Sequence, residues 1–229
     1  MRYRIITAPR TRGTHALDCL IIANNPDQKN INSDLYNEPY NHSIPNSAVD
    51  WMIGDKNAVV KHHIRHLVAN DVYHSAEPFA RECSVEWNTI LLLRRNLFDQ
   101  SISYARSRLL NQWASYTNDT VEIEPQLFVD SVLALWGSVV HASRNAKRLT
   151  YNKVVWSEDL TGNNTLDTPT LGIDIPVDAH ETTTRSPTNT IANIEQLREV
   201  ARQIQLPQHR DTHCECNNNL IITSFNWNK

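Results

Sequence analysis

The sequence predicts an α/β fold with a central, mostly parallel sheet flanked by helices, and two observations carry that expectation. β-prone apolar runs alternate with amphipathic stretches of helical period, the order in which helices cross between parallel strands. Thr89–Leu93, moreover, is a nearly unbroken apolar run, as in a central strand buried on both faces. No internal repeat interrupts this order, and 229 residues fit a single domain with a substantial core.

Tyr3–Ala8 opens the chain as a short β run with Ile5 and Ile6 at its centre. Pro9–Gly13 reads as a turn. Thr14 then precedes a helix whose Leu17, Leu20 and Ile21 share one face, and its hydroxyl suits an N-cap because it can accept from an orphan backbone N–H. Asn25-Pro26 ends that helix, since proline drives the preceding residue out of the helical region. Residues 24–50, rich in Asn, Pro and Ser, read as a long loop of the kind that in compact domains is often functional. Ala58–Lys61 is the next strand and Thr89–Leu93 the one after it. Helices are expected over 98–113 and 126–145, the second with Phe128, Val132, Leu135, Trp136 and Val139 on one face. Val154–Trp156 is a further strand. Residues 161–189 are rich in Thr, Pro and Asn. A last helix covers 191–204, with Ile191, Ile194, Leu197, Val200, Ala201 and Ile204 as its apolar positions. Residues 205–229 form an irregular tail containing Leu220–Ile222, a candidate edge strand.

Composition excludes several classes. A net charge of −3 disfavours a strongly basic nucleic-acid binder. The five glycines are scattered and form no G-x-G-x-x-G loop, and no G-x-x-x-x-G-K-[ST] motif is present. No apolar run approaches the roughly 18 residues of a membrane helix, and Met1–Arg10 has no apolar signal region. Four cysteines are too few for a disulfide framework, and Cys214-x-Cys216 beside His213 lacks the further ligands of a zinc site. The expectation is a soluble cytoplasmic protein with no membrane, nucleic-acid or metal partner. Its oligomeric state is not written in the sequence.

Two stretches carry chemistry. In Ile5-Ile6-Thr7-Ala8-Pro9-Arg10-Thr11-Arg12-Gly13-Thr14-His15 a strand turns tightly into a helix N-terminus, which attracts anions through free N–H groups and its dipole. Arg10 and Arg12 add charge, and Thr11 and Thr14 add hydroxyls. A plain turn with two surface arginines has the same spacing. In the second stretch the buried strand Ile90–Leu93 runs into Arg94-Arg95-Asn96, with Ser103 eight residues beyond Arg95 on the following helix. Parallel sheets bind ligands at the carboxyl ends of their strands, where an arginine fork can grip a phosphate. A basic strand cap followed by an ordinary helix serine is the alternative.

Pro9–Thr14 resembles the 5′-phosphosulfate loop of sulfotransferases, P-[KR]-[ST]-G-[ST]-T, with Arg12 where the family has glycine and Gly13 one place later. Arg95, Asn96, Asp99 and Ser103 match, in register, the family's 3′-phosphate motif R-[DN]-P-x-D-x-x-x-S, with Leu97 in place of proline. Asn37-Glu38-Pro39-Tyr40 looks like the family's E-P-F element, and Val60-Lys61-His62-His63 looks like V-K-T-H with His62 for threonine. Trp156–Leu160 and Leu171-Gly172 resemble its Y-E-D-L and L-G pair. The matches span residues 5–172; no R-K-G loop follows, and nothing specific marks Arg185 as its substitute.

The resemblance implies a P-loop NTPase-like domain that moves a sulfuryl group from 3′-phosphoadenylyl sulfate (PAPS) to a hydroxyl or amine of a small-molecule or carbohydrate acceptor, without a metal. It puts Arg10, Thr11, Arg12, Gly13, Thr14 and His15 around the 5′ end of the nucleotide, and Arg95 and Ser103 on the 3′-phosphate. Arg10 would stabilise the leaving oxygen, with Lys61 adding charge near the sulfuryl group. Two bases remain open: Glu38, whose element matches more fully, and His63, which lies in a basic cluster with His62, Arg65 and His66. A P-loop-like kinase and a non-catalytic interaction protein on a degenerate sulfotransferase scaffold are the alternative readings.

Overall fold

The computed structural model describes residues 1–11, 13–24, 50, 52–64, 81–113, 119–144, 151, 153–158 and 187–206, which fall into two compact units.

The first unit lies within Met1–Leu93 and Asn145–Thr182. It contains β1 (Tyr3–Thr7), α1 (Gly13–Asn24), β2 (Val59–His63), β3 (Asn88–Leu93) and β4 (Lys153–Trp156). The four strands form one sheet in the order β2-β1-β3-β4, and every pairing is parallel. This is the parallel α/β sheet expected from the sequence. All five residues of β1 are buried, which is why the apolar Ile5-Ile6 run shows no polar alternation. In register, Ile5 stands between Lys61 of β2 and Ile90 of β3. α1 packs against β1 and β2, burying Ala16, Leu17, Leu20 and Ile21. A separate apolar group, Met52, Ala58, Val60 and Trp87, is packed with Ile53 and Val85.

The second unit lies within Arg94–Arg144 and Thr183–Lys229. It contains α2 (Leu97–Leu110), α3 (Pro125–Arg144), a 3-10 turn at Pro187–Thr190 and α4 (Ile194–Gln203). Phe98, Ile102 and Ala105 of α2 meet Phe128 and Val132 of α3 and Leu197 and Ala201 of α4 in one core. The Phe98 and Phe128 rings touch edge to face at 5.5 Å. Val121 pairs with Ile191 as a single parallel bridge. Asn193 extends that bridge with its side chain: Oδ1 accepts from the Ile123 N–H at 3.1 Å and Nδ2 donates to the Ile123 carbonyl at 2.8 Å.

Boundaries differ from expectation where local chemistry intervenes. Thr14 is the second residue of α1 rather than its cap. α2 stops at Leu110 because Asn111 takes a left-handed φ of 50°, its N–H reaching the carbonyls of Ser107 and Arg108. The last helix begins at Ile194, since Ile191 is spent on the bridge to Val121. β2 is shifted to Val59–His63. Residues 25–49 of the long loop, most of 161–189, and the tail from 207 with Leu220–Ile222, Cys214 and Cys216 lie outside the described residues.

Candidate functional site at the carboxyl end of the sheet

The chain leaves β1 to form β2 on one side, then β3 on the other. The sheet order therefore reverses beside β1, and open parallel sheets bind ligands outside the carboxyl ends of their strands at such a reversal. The carboxyl end of β1 is Thr7, and the candidate loop begins there.

The loop is tied inward by its threonines. Thr7 and Thr11 are both buried, their hydroxyls contact one another, and the Ala8 carbonyl lies 3.0 Å from each oxygen. Thr11 thus closes the turn with its hydroxyl. Arg10, in this turn, has a left-handed φ of 62°. The turn then delivers the chain into α1 at Gly13.

Gly13 is where a side chain is excluded. A Cβ there would lie 2.9 Å from the Thr7 methyl and 3.0 Å from Cδ of Lys61. The missing side chain admits the Lys61 stem, and Lys61 Nζ donates to the Thr14 hydroxyl at 3.2 Å. Lys61 is only 3% exposed. A buried ammonium therefore lies at the first turn of α1, where helix N–H groups and the dipole also favour negative charge. Thr14 itself is exposed. His63, the last residue of β2, is partly buried, and strand alternation puts it on the same face as Lys61. Thr7, Thr11, Gly13, Thr14 and Lys61 thus come together in the first unit.

Arg95 and Ser103 belong to the second unit. Arg95 is partly buried and Ser103 is buried on α2. The neighbouring motif positions have structural tasks. Asn96 caps α2 by accepting from the Asp99 N–H at 2.9 Å, and Asp99 pairs with Arg94 at 3.7 Å. Asparagine and aspartate at this spacing are what a capped helix needs. Arg12, Glu38 with its E-P element, Asp159-Leu160, Leu171-Gly172 and Arg185 lie outside the described residues, as does the side chain of His15. No group of residues suited to a metal occurs among the described residues.

One cluster was not anticipated from the sequence. Arg4, His62 and Glu82 are all buried in the first unit. Glu82 Oε1 lies 3.0 Å from His62 Nε2 and 3.4 Å from Arg4 Nη1. The available signal was Arg4, the one charge in a strand that is otherwise uncharged, which a buried strand tolerates only with a partner.

No protein-family model matches the chain, and no curated protein matches it either.

Proposed function

We propose that the protein is a sulfotransferase that moves a sulfuryl group from PAPS to a hydroxyl or amine of a small acceptor. The observation that carries this reading is the buried Lys61 laid against the first turn of α1, at the carboxyl end of a parallel sheet and beside the tight Thr7–Gly13 turn. That arrangement suits the 5′ end of an anionic nucleotide and is built with one glycine. The sequence motifs narrow the anion to a phosphosulfate.

In this reading the acceptor oxygen attacks sulfur in line while the bond from sulfur to the 5′-phosphate oxygen breaks. The electron pair leaves with the 5′-phosphate, whose growing charge Arg10 and Lys61 offset. Glu38 or His63 takes the acceptor's proton. Positioning and charge stabilisation supply most of the rate in such loose transfers. Arg95 and Ser103 hold the 3′-phosphate, where an arginine fork fits a dianion.

The test is a calorimetric titration with adenosine 3′,5′-bisphosphate in the presence of a chelator, followed by transfer of labelled sulfate from PAPS to a cell extract. Saturable metal-free binding and a labelled product support the reading. Absence of binding overturns it, and Mg²⁺-dependent ATP turnover would point to the kinase. Binding without transfer to any acceptor favours the non-catalytic scaffold.

A further inference from the structure

We propose that His62, held by Glu82, is a positioning residue that fixes the register of β2 and thereby places Lys61 and His63. Among the described residues β2 pairs with β1 alone, so the pairing described there holds it from one side. Side chains alternate along it. Lys61 reaches Gly13 and Thr14 of α1, and His62 points to the opposite face.

On that opposite face Glu82 gathers all three neighbouring strands. Its Oε1 accepts from His62 of β2 at 3.0 Å and pairs with Arg4 of β1 at 3.4 Å. Arg4 Nε then donates to Thr89 Oγ1 of β3 at 3.2 Å. The main chain of Glu82 is held in turn, since Trp87 Nε1 donates to its backbone carbonyl at 2.8 Å, and the Arg4 guanidinium lies 5.9 Å from the centre of the Trp87 ring. The side chains of Arg4, His62 and Glu82 are all at least 97% buried. Breaking one such contact leaves a charge in the interior without full compensation.

A slip of one residue would turn every side chain of β2 to the other face. His62 would leave Glu82, and Lys61 would leave α1. The network resists that slip from the face away from the candidate site, so it acts on Lys61 and His63 without touching what they bind. His62 stands where the resembled family element carries threonine, and imidazole spans a gap to the carboxylate that the shorter residue does not. The positioning role stands on the geometry alone; its consequence for catalysis rests on the sulfotransferase reading.

The experiment is lysine acetylation footprinting, read by mass spectrometry, on the wild type, His62→Leu, His62→Asn and His62→Gln. Exposed Lys56 and Lys153 serve as internal references. In His62→Leu and His62→Asn, Lys61 should react about tenfold faster through local opening of β2, with the reference lysines unchanged. Glutamine reaches the carboxylate with its amide and should restore the wild-type rate. The proposal is overturned if Lys61 labelling stays at the wild-type rate, if all three lysines accelerate together, or if glutamine does not rescue. The asparagine variant decides the matter should the leucine variant fail to fold. In parallel, the Kd for adenosine 3′,5′-bisphosphate should rise about tenfold in His62→Asn and recover in His62→Gln. A wild type that fails to bind the bisphosphate sinks the sulfotransferase reading, while the footprint still decides the positioning role.

Discussion

Replacing Gly13 by alanine tests the packing on which the candidate site depends. The new Cβ would sit 2.9 Å from the Thr7 methyl and 3.0 Å from Lys61 Cδ, where carbon atoms normally rest about 3.5–4.0 Å apart. Thr7 has little room to turn, being buried, β-branched and hydrogen-bonded through its hydroxyl. The Lys61 stem or the start of α1 must therefore move. Overpacking of this kind costs about 1–3 kcal/mol. Alanine's helix preference returns at most about 1 kcal/mol, less at a helix's first residue. The net loss is about 0.5–2.5 kcal/mol, which for a chain of this size lowers Tm by about 1–10 °C. The same change at Gly137 gives the contrast, because that glycine lies within α3 and a Cβ there meets nothing within 4 Å. Gly137→Ala should gain about 0.5–1 kcal/mol and raise Tm by about 1–4 °C. Thermal melts and urea midpoints of both variants, with a bisphosphate titration of Gly13→Ala, measure the opposite signs. A Gly13→Ala protein that melts at or above the wild-type temperature would refute the close approach of Thr7 and Lys61, and with it the placement of the lysine.

Three further outcomes are expected. Arg95→Ala should weaken binding of adenosine 3′,5′-bisphosphate by about 2 kcal/mol, the size of a charge-assisted hydrogen bond, as read by calorimetry. Asn96→Ala removes the cap on the Asp99 N–H and should cost about 1 kcal/mol in urea unfolding, while Asn96→Asp keeps the cap and most of the stability. Burial holds the Tyr151 phenol above its ordinary pKa of 10.0. Below that value the phenol is neutral whether the chain is folded or not. As pH rises through 10 toward the raised folded value, the unfolded chain ionises first and stability falls. Tyr151→Phe should therefore lose less stability than the wild type in urea melts taken on either side of about pH 10.

The parallel sheet was legible because strands buried on both faces need uninterrupted apolar runs, and Ile5-Ile6 and Ile90–Leu93 provide them. The buried face of α3 was legible for the same reason: Phe128, Val132, Leu135, Trp136 and Val139 recur at helical spacing, and all are buried. Ends of elements were harder to read. Asn111 looks like any polar helix residue until its backbone turns left-handed, and Ile191 fits the helical period yet serves a bridge. Pairings distant in sequence were not legible at all. That Lys61 would reach Thr14, or His62 would reach Glu82, depends on which strands are neighbours, and the strand order is set by the whole chain. The motif around Arg95 shows the converse. Asn96 and Asp99 fit a ligand signature, yet the cap of α2 and the pair with Arg94 give each of them a structural task.

The left-handed backbone of Arg10 has a consequence for how the protein tolerates change. An L-residue with a side chain is strained there by about 1–2 kcal/mol, and glycine is not. In a chain that has only five glycines, a backbone position suited to another one is occupied by an arginine. Arg10→Gly should relieve that backbone strain while removing the cation that the sulfotransferase reading assigns to the leaving group. The backbone at this position thus favours glycine, whereas the sulfotransferase reading needs the charge of an arginine.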